Sequence, residues 1–390
     1  MNRNTDFVPF SLPSIGPEEE NAVLEVLRSG WLTTGKIARA FEEEFASFVG
    51  AGSALAVNSA TSGLHLILEA FGIGPGDKVA MSPYTFASDA AVVRQLGAEV
   101  AFCDISKEDY NIDPGLLDDL LARDRSVKAV IPVHIGGMPC RMDEILEICR
   151  RRGARVVEDS AHGFPLKLGS GYAGTLGDAG FYSFYATKTI TTGEGGMVVA
   201  RDDAALKRME TMRLHGFDRT AWDRYTSKTA SWRYDIVEPG FKYNLPDILA
   251  AVGREQLKKA ERFLDERRAI AARYLGAFAG QSAFEMPPLH PAHSWYLFSL
   301  RLRPESLRIA RDEFADALQA AGIGISVHFI PLHTMSYWSK RYGLEPGDFP
   351  EAFSKFSRTI SLPIWQGMSE GQVERVIEAV KRLAQVGGRS

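Results

Sequence analysis

The sequence predicts an α/β fold in two parts: a large doubly wound domain on a mostly parallel sheet, then a smaller α+β domain. Residues 53–200 alternate short apolar runs with amphipathic stretches, the pattern of strands covered by helices on both faces. After residue 295 the spacing of strand-like and helix-like segments changes. The chain has 390 residues, more than one small core needs. We place the large domain at 1–250, with the N-terminal segment included, and the small domain at 251–390.

The large domain is predicted from short apolar runs, which we assign as strands. These runs are ALAV (54–57), KVAM (78–81), EVAF (99–102), KAVIPV (128–133), RVVE (155–158), FYSFY (181–185) and GMVVA (196–200). Amphipathic helices are predicted between them at 61–72, 86–97, 113–122 and 142–153. Gly97 and Gly153 suit the ends of two of these helices. A polar loop is expected at roughly 214–235.

The remaining chain predicts the second domain. One helix is expected from Pro246 to about Tyr274, crossing between the domains. The segments 295–302 and 325–329 have strand-like composition, and 311–322 has a helical pattern. Residues 369–385 predict a closing amphipathic helix with a serine N-cap. These segments favour an α+β domain.

Composition excludes several classes of protein. Lys plus Arg number 45 and Asp plus Glu 49, a net charge of −4 that argues against general nucleic-acid binding. Cys103, Cys140 and Cys149 form no CxxC pair and no zinc-like cluster with histidine, so we expect buried, reduced thiols and no metal site. No apolar run approaches a membrane span, and the first residues lack the apolar core of a signal peptide. We therefore expect a cytoplasmic protein with no membrane partner.

Lys188 and Asp159 are the most informative residues. Lys188 closes SFYATK and precedes a Thr/Gly-rich loop, whereas Asp159 ends the apolar stretch VVED. A desolvated lysine amine near a buried acid suits a covalently held pyridoxal phosphate, with the acid keeping a proton on the pyridine nitrogen. Taken singly, Lys188 is more often a surface lysine and Asp159 a helix N-cap. Their pairing favours catalysis.

Other residues suit the phosphate and the ring of such a cofactor. NSATSG (58–63) opens a helix after a strand, and the Ala60 amide with Thr61 is a candidate phosphate contact. Ser183 is a second candidate, and Phe86 just past a strand end could stack on the pyridine ring. An ordinary helix cap and a core phenylalanine are the plainer interpretations.

Two histidines are candidates for the same pocket. His162 could lie over the cofactor ring, touch its phenolic oxygen, or be structural. His328, in HFIPLH, is a candidate to line the substrate pocket at the domain junction, and Trp31 in GWLTTG is a second candidate substrate contact. The two histidines of HFIPLH lie too close together on an extended segment to face one metal.

These residues together resemble the DegT/DnrJ/EryC1/StrS family of pyridoxal-phosphate nucleotide-sugar aminotransferases. The similarity runs from about residue 29 to the last helix and includes NSATSGLHL, SPYTF, IPVHIGG, VVEDSAHG and FYSFYATKTITTGEGGMVV. GWLTTG, LHGFDRTAWDR and PGFKYNLPDI are most similar to enzymes that make UDP-4-amino-4-deoxy-L-arabinose. The segment FPLKLGSGYAGTLGDAG (164–180) departs from the shorter turn of the family, which affects the expected contour of the pocket.

The resemblance implies a fold of the aspartate-aminotransferase type (fold type I) and a role for each matching residue. Lys188 matches the Schiff-base lysine, Asp159 the partner of the pyridine nitrogen, and His162 a position that is Gln or His in the family. The phosphate contacts match Ala60, Thr61 and Ser183, and the stacking aromatic matches Phe86. Asn244 matches an asparagine that reaches the phosphate of the neighbouring subunit, so a homodimer with shared active sites is implied.

The implied reaction moves an amino group from L-glutamate, which leaves as 2-oxoglutarate, to a keto group of a nucleotide-linked sugar. We expect a UDP-4-keto sugar in surface polysaccharide or lipid A biosynthesis; a 3-keto sugar and dTDP- or GDP-linked sugars are the alternatives. A sugar dehydratase is disfavoured because such relatives carry histidine in place of Lys188. A non-enzymatic regulator is disfavoured because Lys188 and Asp159 are both present and no basic helix-turn-helix pattern is found.

Overall fold

The structure is a computed structural model that describes residues 7–169, 171–218 and 234–386. Within them the helices are α1 (Pro17–Ser29), α2 (Lys36–Val49), α3 (Ala60–Ala70), α4 (Ala87–Gln95), α5 (Pro114–Arg123), α6 (Met142–Arg152), α7 (Asp203–Met212), α8 (Asp247–Lys258), α9 (Ala260–Phe278), α10 (Arg311–Ala320), α11 (Ser336–Tyr342), α12 (Pro350–Phe356) and α13 (Glu370–Val386). The strands are β1 (Ala54–Val57), β2 (Lys78–Met81), β3 (Glu99–Phe102), β4 (Val127–Ile131), β5 (Arg155–Asp159), β6 (Lys167–Leu168), β7 (Gly171–Tyr172), β8 (Ala179–Ser183), β9 (Gly196–Ala200), β10 (Phe284–Glu285), β11 (Phe298–Leu302) and β12 (Thr359–Leu362). Most of the predicted loop 214–235 lies outside the described residues.

A seven-stranded sheet organises the large part of the chain, in the order β1-β9-β8-β5-β4-β2-β3. From β8 to β3 every neighbouring pair is parallel, and only β9 runs antiparallel to its neighbours β8 and β1. The predicted doubly wound, mostly parallel sheet is therefore confirmed. The predicted strand 181–185 begins two residues earlier, at Ala179.

Helices cover both faces of this sheet. Val130 and Ile131 are consecutive residues of β4, both fully buried, and belong to cores on opposite faces. Helices α3, α4 and α7 pack on the face of Ile131, and α5 and α6 on the face of Val130. Near β1 and β9, α2 and α8 continue the second face. Burial on both sides explains the near-continuous apolar runs of the strands.

The C-terminal part contains the antiparallel sheet β10-β11-β12, with α9, α10 and α13 packed in one core. The predicted α+β character is confirmed. The predicted strand 325–329 is wrong: only Ser326 forms a bridge, to Ser361 of β12. The chain leaves the sheet because His328 and Phe329 contact Phe10 and His162 instead of continuing the ladder.

The single helix expected from Pro246 to Tyr274 is two helices, α8 and α9, which meet at Lys259. The amine of Lys259 lies 2.7 Å from the carboxylate of Glu19, so it ties this junction to α1. The N-terminal segment was assigned to the large domain, but Val8 bridges Ile323 and is buried in the C-terminal core. A division after residue 250 falls inside α8, and its position stays a prediction.

Candidate active site

The candidate residues meet where parallel strands end. Asp159 is the last residue of β5 and Ser183 the last of β8, and the two strands are parallel neighbours with Asp159 opposite Phe181. Phe86 follows β2 as the N-cap of α4. Parallel strands place their carboxyl ends at one edge of a sheet, where ligands of doubly wound folds bind.

Asp159 is a buried carboxyl, 5% exposed. Burial raises its pKa, while the amide of Ala161, which donates to Oδ1 at 2.7 Å, and the positive charge of Lys188 oppose that rise. Lys188 is partly buried in the turn after β8, where its amide donates to the carbonyl of Tyr185 at 2.9 Å. The lysine and the acid predicted to act together thus lie in one pocket, within electrostatic reach.

Tyr296 forms one wall of that pocket. The amine of Lys188 lies 4.5 Å from the centre of the Tyr296 ring, a cation–π distance. The same ring stacks on His162 with centroids 4.3 Å apart, and its hydroxyl is 3.1 Å from that of Thr187. Behind it, the buried guanidinium of Arg267 lies 5.7 Å from the ring centre. Tyr296 therefore orients both the lysine and the histidine.

His162 is held as a neutral imidazole. Its Nδ1 accepts a hydrogen bond from the amide of Gly136 at 3.3 Å, and burial with the charge of Lys188 lowers its pKa well below the usual range. Tyr296 stacks on the ring, and Phe329 lies nearly parallel to it with centroids 5.6 Å apart. The sequence left three interpretations of His162: over the cofactor ring, in contact with its phenolic oxygen, or structural. Because Tyr296 and Phe329 stack on the imidazole, a contact at the edge of a cofactor fits better than a position over its ring.

Phe86 and His328 also border this pocket. The Phe86 side chain is 61% exposed and its ring lies 6.1 Å from that of Phe329, so a face of the ring is accessible to a flat ligand. Nδ1 of His328 lies 3.0 Å from the hydroxyl of Ser361, and burial lowers the His328 pKa to about 4. His328 is therefore neutral at physiological pH.

A helix N-terminus adjoins Ser183. Ala60 and Thr61 begin α3, where amides have no acceptor within the helix, and none is found among the described residues. Ser183 pairs with Gly196 of β9, and a Cβ at Gly196 would lie only 2.8 Å from the Ala60 nitrogen. The glycine lets the strand approach the helix, so the hydroxyl of Ser183 and two amides converge. This set fits a phosphate group.

Asn244 and Trp31 lie at the other side of β1. Asn244 bridges to Val57, accepts a hydrogen bond from Lys242 at 2.6 Å and donates to Thr34 at 2.6 Å. The indole of Trp31 donates to the carbonyl of Thr34 at 3.3 Å. These bonds group Asn244 and Trp31 around Thr34, and their predicted roles at the cofactor phosphate and the substrate stay predictions.

The segment that departs from the family pattern is anchored from the interior. Glu158, fully buried, accepts hydrogen bonds from the amides of Gly174, Leu176 and Gly177 at 2.6–2.9 Å and from Nε2 of His134 at 3.1 Å. The extra residues form the hairpin β6–β7. Since Glu158 precedes Asp159, the same strand end fixes this segment and presents the acid.

Three pocket residues were not found from sequence. Tyr296 was read only as part of a strand, Phe329 as part of another, and Asp89 as part of an amphipathic helix. Asp89 is fully buried and hydrogen bonded to Asp159. An acid among apolar residues at a helix start is the one local signal for it. Among the described residues no group of three or more His, Cys, Asp or Glu could hold a metal.

Known proteins share this architecture over nearly the whole chain. The DegT/DnrJ/EryC1/StrS aminotransferase family matches residues 13–381. The Bacillus subtilis spore coat polysaccharide biosynthesis protein SpsC is 42% identical over 386 residues, 98% of each chain. Spr1654 from Streptococcus pneumoniae in its PLP form has a TM-score of 0.89 and 29% identity, covering 97% of this chain and 99% of that one. Helicobacter pylori PseC, an aminotransferase involved in the biosynthesis of pseudoaminic acid, has a TM-score of 0.90 and 26% identity, covering 98% and 100%.

With these similarities, the fold and the pocket define a fold type I enzyme that uses pyridoxal 5′-phosphate. The free amides at the start of α3, the exposed ring of Phe86, the amine of Lys188 and the buried carboxyl of Asp159 fit four parts of that cofactor. The chain belongs to the DegT/DnrJ/EryC1/StrS aminotransferase family, and it is a sugar aminotransferase.

Proposed function

We propose that this enzyme transfers the amino group of L-glutamate to the keto group of a nucleotide-linked sugar, which we assign as a UDP-4-keto sugar, and releases 2-oxoglutarate. The observation that carries the proposal is the shared pocket of Lys188 and Asp159 at the carboxyl edge of the sheet. The product would serve surface polysaccharide or lipid A biosynthesis. SpsC is named for spore coat polysaccharide biosynthesis, and PseC is described as an aminotransferase involved in the biosynthesis of pseudoaminic acid; both support a role in the biosynthesis of such surface sugars.

The pocket residues contribute to the reaction in two ways: they position the cofactor, and they hold or move protons. Pyridoxal phosphate supplies, when bound, a carbonyl that carries the amino group and a ring that accepts electrons. Lys188 would hold the cofactor covalently, and its free amine would move a proton as general acid and base. Asp159 would keep a proton on the pyridine nitrogen. Ala60, Thr61 and Ser183 would hold the phosphate, Phe86 would stack on the ring, and His162 would contact the ring edge.

The substrate assignment rests on three sequence segments that resemble the UDP-4-amino-4-deoxy-L-arabinose enzymes. GWLTTG contains Trp31, and PGFKYNLPDI contains Asn244; the two are joined through Thr34. Most of LHGFDRTAWDR lies outside the described residues. Trp31 and His328 are the side chains we propose for sugar or nucleotide contact.

We also propose a cytoplasmic homodimer in which Asn244 of one protomer completes the phosphate site of the other. Asn244 lines a cavity of about 980 Å³ beside α2 and α7, with Thr34 and Arg213, and this cavity is large enough for a segment of a second protomer. None of the helices among the described residues is long and apolar enough to cross a membrane.

The role of Lys188 is tested by trapping the cofactor. Purified protein with pyridoxal phosphate should be yellow, and borohydride should fix the cofactor on the peptide that contains Lys188. Lys188→Ala should not be labelled and should lose at least about 10²–10⁴-fold in rate, as expected when a general acid–base group is removed. Lys167→Ala is the matched control, since Lys167 lies 5.7 Å from the Tyr172 ring centre but outside the pocket. Labelling at another lysine would refute the assignment.

The substrate is tested by a panel of nucleotide sugars. With glutamate as donor, UDP-4-keto sugars should be aminated faster than 3-keto sugars and faster than dTDP- or GDP-linked 4-keto sugars, as measured by formation of 2-oxoglutarate and the amino sugar. Amination of 3-keto compounds alone would overturn the substrate and leave the chemistry intact.

A further inference from the structure

A second carboxyl lies beside Asp159 and is not explained by the proposed function. Asp89, in the first turn of α4, is fully buried, and its side chain is hydrogen bonded to that of Asp159, which is 5% exposed. Two carboxylates in contact and out of water repel each other and lack hydration, so such a pair retains a proton. The question is which of the two carries it.

The surroundings favour the ionised form of Asp159. An amide, that of Ala161, donates to Asp159 Oδ1 at 2.7 Å, and the positive charge of Lys188 acts on the same group. Besides Asp159, the groups among the described residues that donate hydrogen bonds to the Asp89 carboxyl are hydroxyls, those of Thr85 at 2.7 Å and Ser88 at 3.4 Å. Burial and the charge of Asp159 raise the pKa of Asp89 well above its usual range. The proton therefore belongs on Asp89.

Two neighbouring histidines are held by hydrogen bonds to their Nδ1 atoms. Nδ1 of His134 accepts a hydrogen bond from the amide of Cys140 at 3.1 Å, so its proton lies on Nε2 and points to Glu158. Nδ1 of His162 accepts the amide of Gly136 in the same way. The charge of Lys188 lowers the pKa of Asp159, and His134 acts in the same direction, so both favour the ionised form of Asp159.

We propose that Asp89 is a positioning residue that stays protonated at neutral pH and donates a hydrogen bond to the carboxylate of Asp159. The bond holds Asp159 ionised and directed at the pyridine nitrogen of the cofactor. The inference rests on the proposed role of Asp159. A protonated carboxylic acid that serves as a hydrogen-bond donor in an apolar site is an established device of enzymes.

The competing interpretation is an ordinary helix-start acid. A carboxylate in the first turn of a helix is stabilised by the helix dipole and is then ionised. The two interpretations differ in the effect of Asp89→Asn. An amide can donate to Asp159 and accept from Thr85 as a protonated carboxyl does, but it removes the charge of an ionised one.

The test compares holoenzymes carrying Asp89→Asn and Asp89→Ala. We expect Asp89→Asn to bind pyridoxal phosphate within about threefold of the wild type, and Asp89→Ala to lose about tenfold, because one hydrogen bond to a charged group is lost. The pH midpoint of the visible band of the lysine-bound cofactor should be unchanged in Asp89→Asn. If Asn and Ala shift that midpoint equally, Asp89 is ionised and the proposal is overturned.

An infrared measurement covers the case in which Asp89→Ala does not fold. Wild-type holoenzyme at neutral pH should show the carbonyl stretch of a protonated carboxyl, and Asp89→Asn should lack it. Asp104→Asn is the control, since Asp104 is a buried carboxyl that instead accepts amides at the start of α12; it should keep the band. Absence of the band from the wild type, or its persistence in Asp89→Asn, overturns the inference. A wild type that binds no pyridoxal phosphate overturns the proposed role of Asp159 itself.

Discussion

Several buried histidines of this enzyme have a lowered pKa. His162, His328 and His293 each have a pKa lowered chiefly by burial, to about 4 for His328 and about 3 for His293. Lys188 adds to the effect at His162 and His328, so the pocket offers imidazoles that can accept hydrogen bonds without adding positive charge. At His293, outside the pocket, burial and the nearby His290 together lower the pKa, which links this histidine to stability.

His293 should make the protein sensitive to mild acid. Its ring stacks on Trp295 at 4.0 Å and its Nδ1 accepts the amide of Trp295 at 2.9 Å. The unfolded chain protonates this histidine below its ordinary pKa of about 6.5, whereas the folded chain does so only near 3, so the free energy of unfolding should fall as pH drops between these values. The loss should reach up to about 3 kcal/mol at pH 4.

Urea unfolding at pH 7 and pH 4 measures this effect. His293→Asn keeps an acceptor for the Trp295 amide but cannot be protonated in this range, so it should lower stability at pH 7 and reduce the difference between the two pH values. An equal pH difference in both proteins would show that His293 does not titrate in this window.

The residues that lie in the pocket could be predicted from sequence where the signal is local. Lys188 stands beside a Thr/Gly loop and Asp159 at the end of an apolar run, so short segments identified both. Asp89 and Tyr296 gain their importance from partners far along the chain, Asp159 and Lys188. No spacing in the sequence joins those pairs.

At the scale of elements, the phosphate site depends on how closely β9 approaches α3. A Cβ at Gly196 would lie 2.7 Å from the Tyr182 carbonyl oxygen and 2.8 Å from the Ala60 nitrogen, and backbone atoms cannot rotate away. Gly196→Ala should therefore cost about 1–3 kcal/mol in stability. It should also weaken pyridoxal phosphate binding, because Ser183 and the start of α3 must separate.

Gly276→Ala provides the control for this substitution. Gly276 lies exposed in α9 with nothing within 4 Å of a Cβ, so alanine should stabilise the protein by about 0.5–1 kcal/mol and leave cofactor affinity unchanged. Thermal melts of the apo and holo forms separate the two effects. Unchanged cofactor affinity in Gly196→Ala would show that the helix start does not hold the phosphate.

Secondary structure was predicted best for elements whose apolar pattern is set by burial in a single core. The strands of the large sheet lie between two helical layers, so apolar runs marked them. The segment 325–329 has the same composition but ends as pocket wall, since Phe329 and His328 pack on His162 and Phe10. An apolar composition indicates that a segment is buried. It does not distinguish a strand buried in a sheet from a segment buried against a cluster of side chains.

At the scale of the whole molecule, segments from the C-terminal part of the chain also pack in the core of the large sheet. Leu332, Trp338 and Ala352 follow the C-terminal sequence but pack in the core of the large sheet. Arg267 of α9 donates to the carbonyl oxygens of Tyr296 at 3.2 Å and Ile364 at 2.8 Å. The pocket is thus formed by segments that are distant in the sequence. For this reason its shape could not be predicted from the sequence.

The proposed sharing of active sites between protomers predicts complementation. Asn244→Ala and Lys188→Ala should each be poorly active alone. If Asn244 serves the neighbouring protomer, a mixed dimer contains one site with both an intact Lys188 and an intact Asn244, so equal mixing after dissociation should recover about a quarter of wild-type activity. If Asn244 serves its own protomer, every site of the mixed dimer lacks one group and no activity returns. Sedimentation of each variant must first show dimers, because a monomer in solution would contradict the proposal before any mixing.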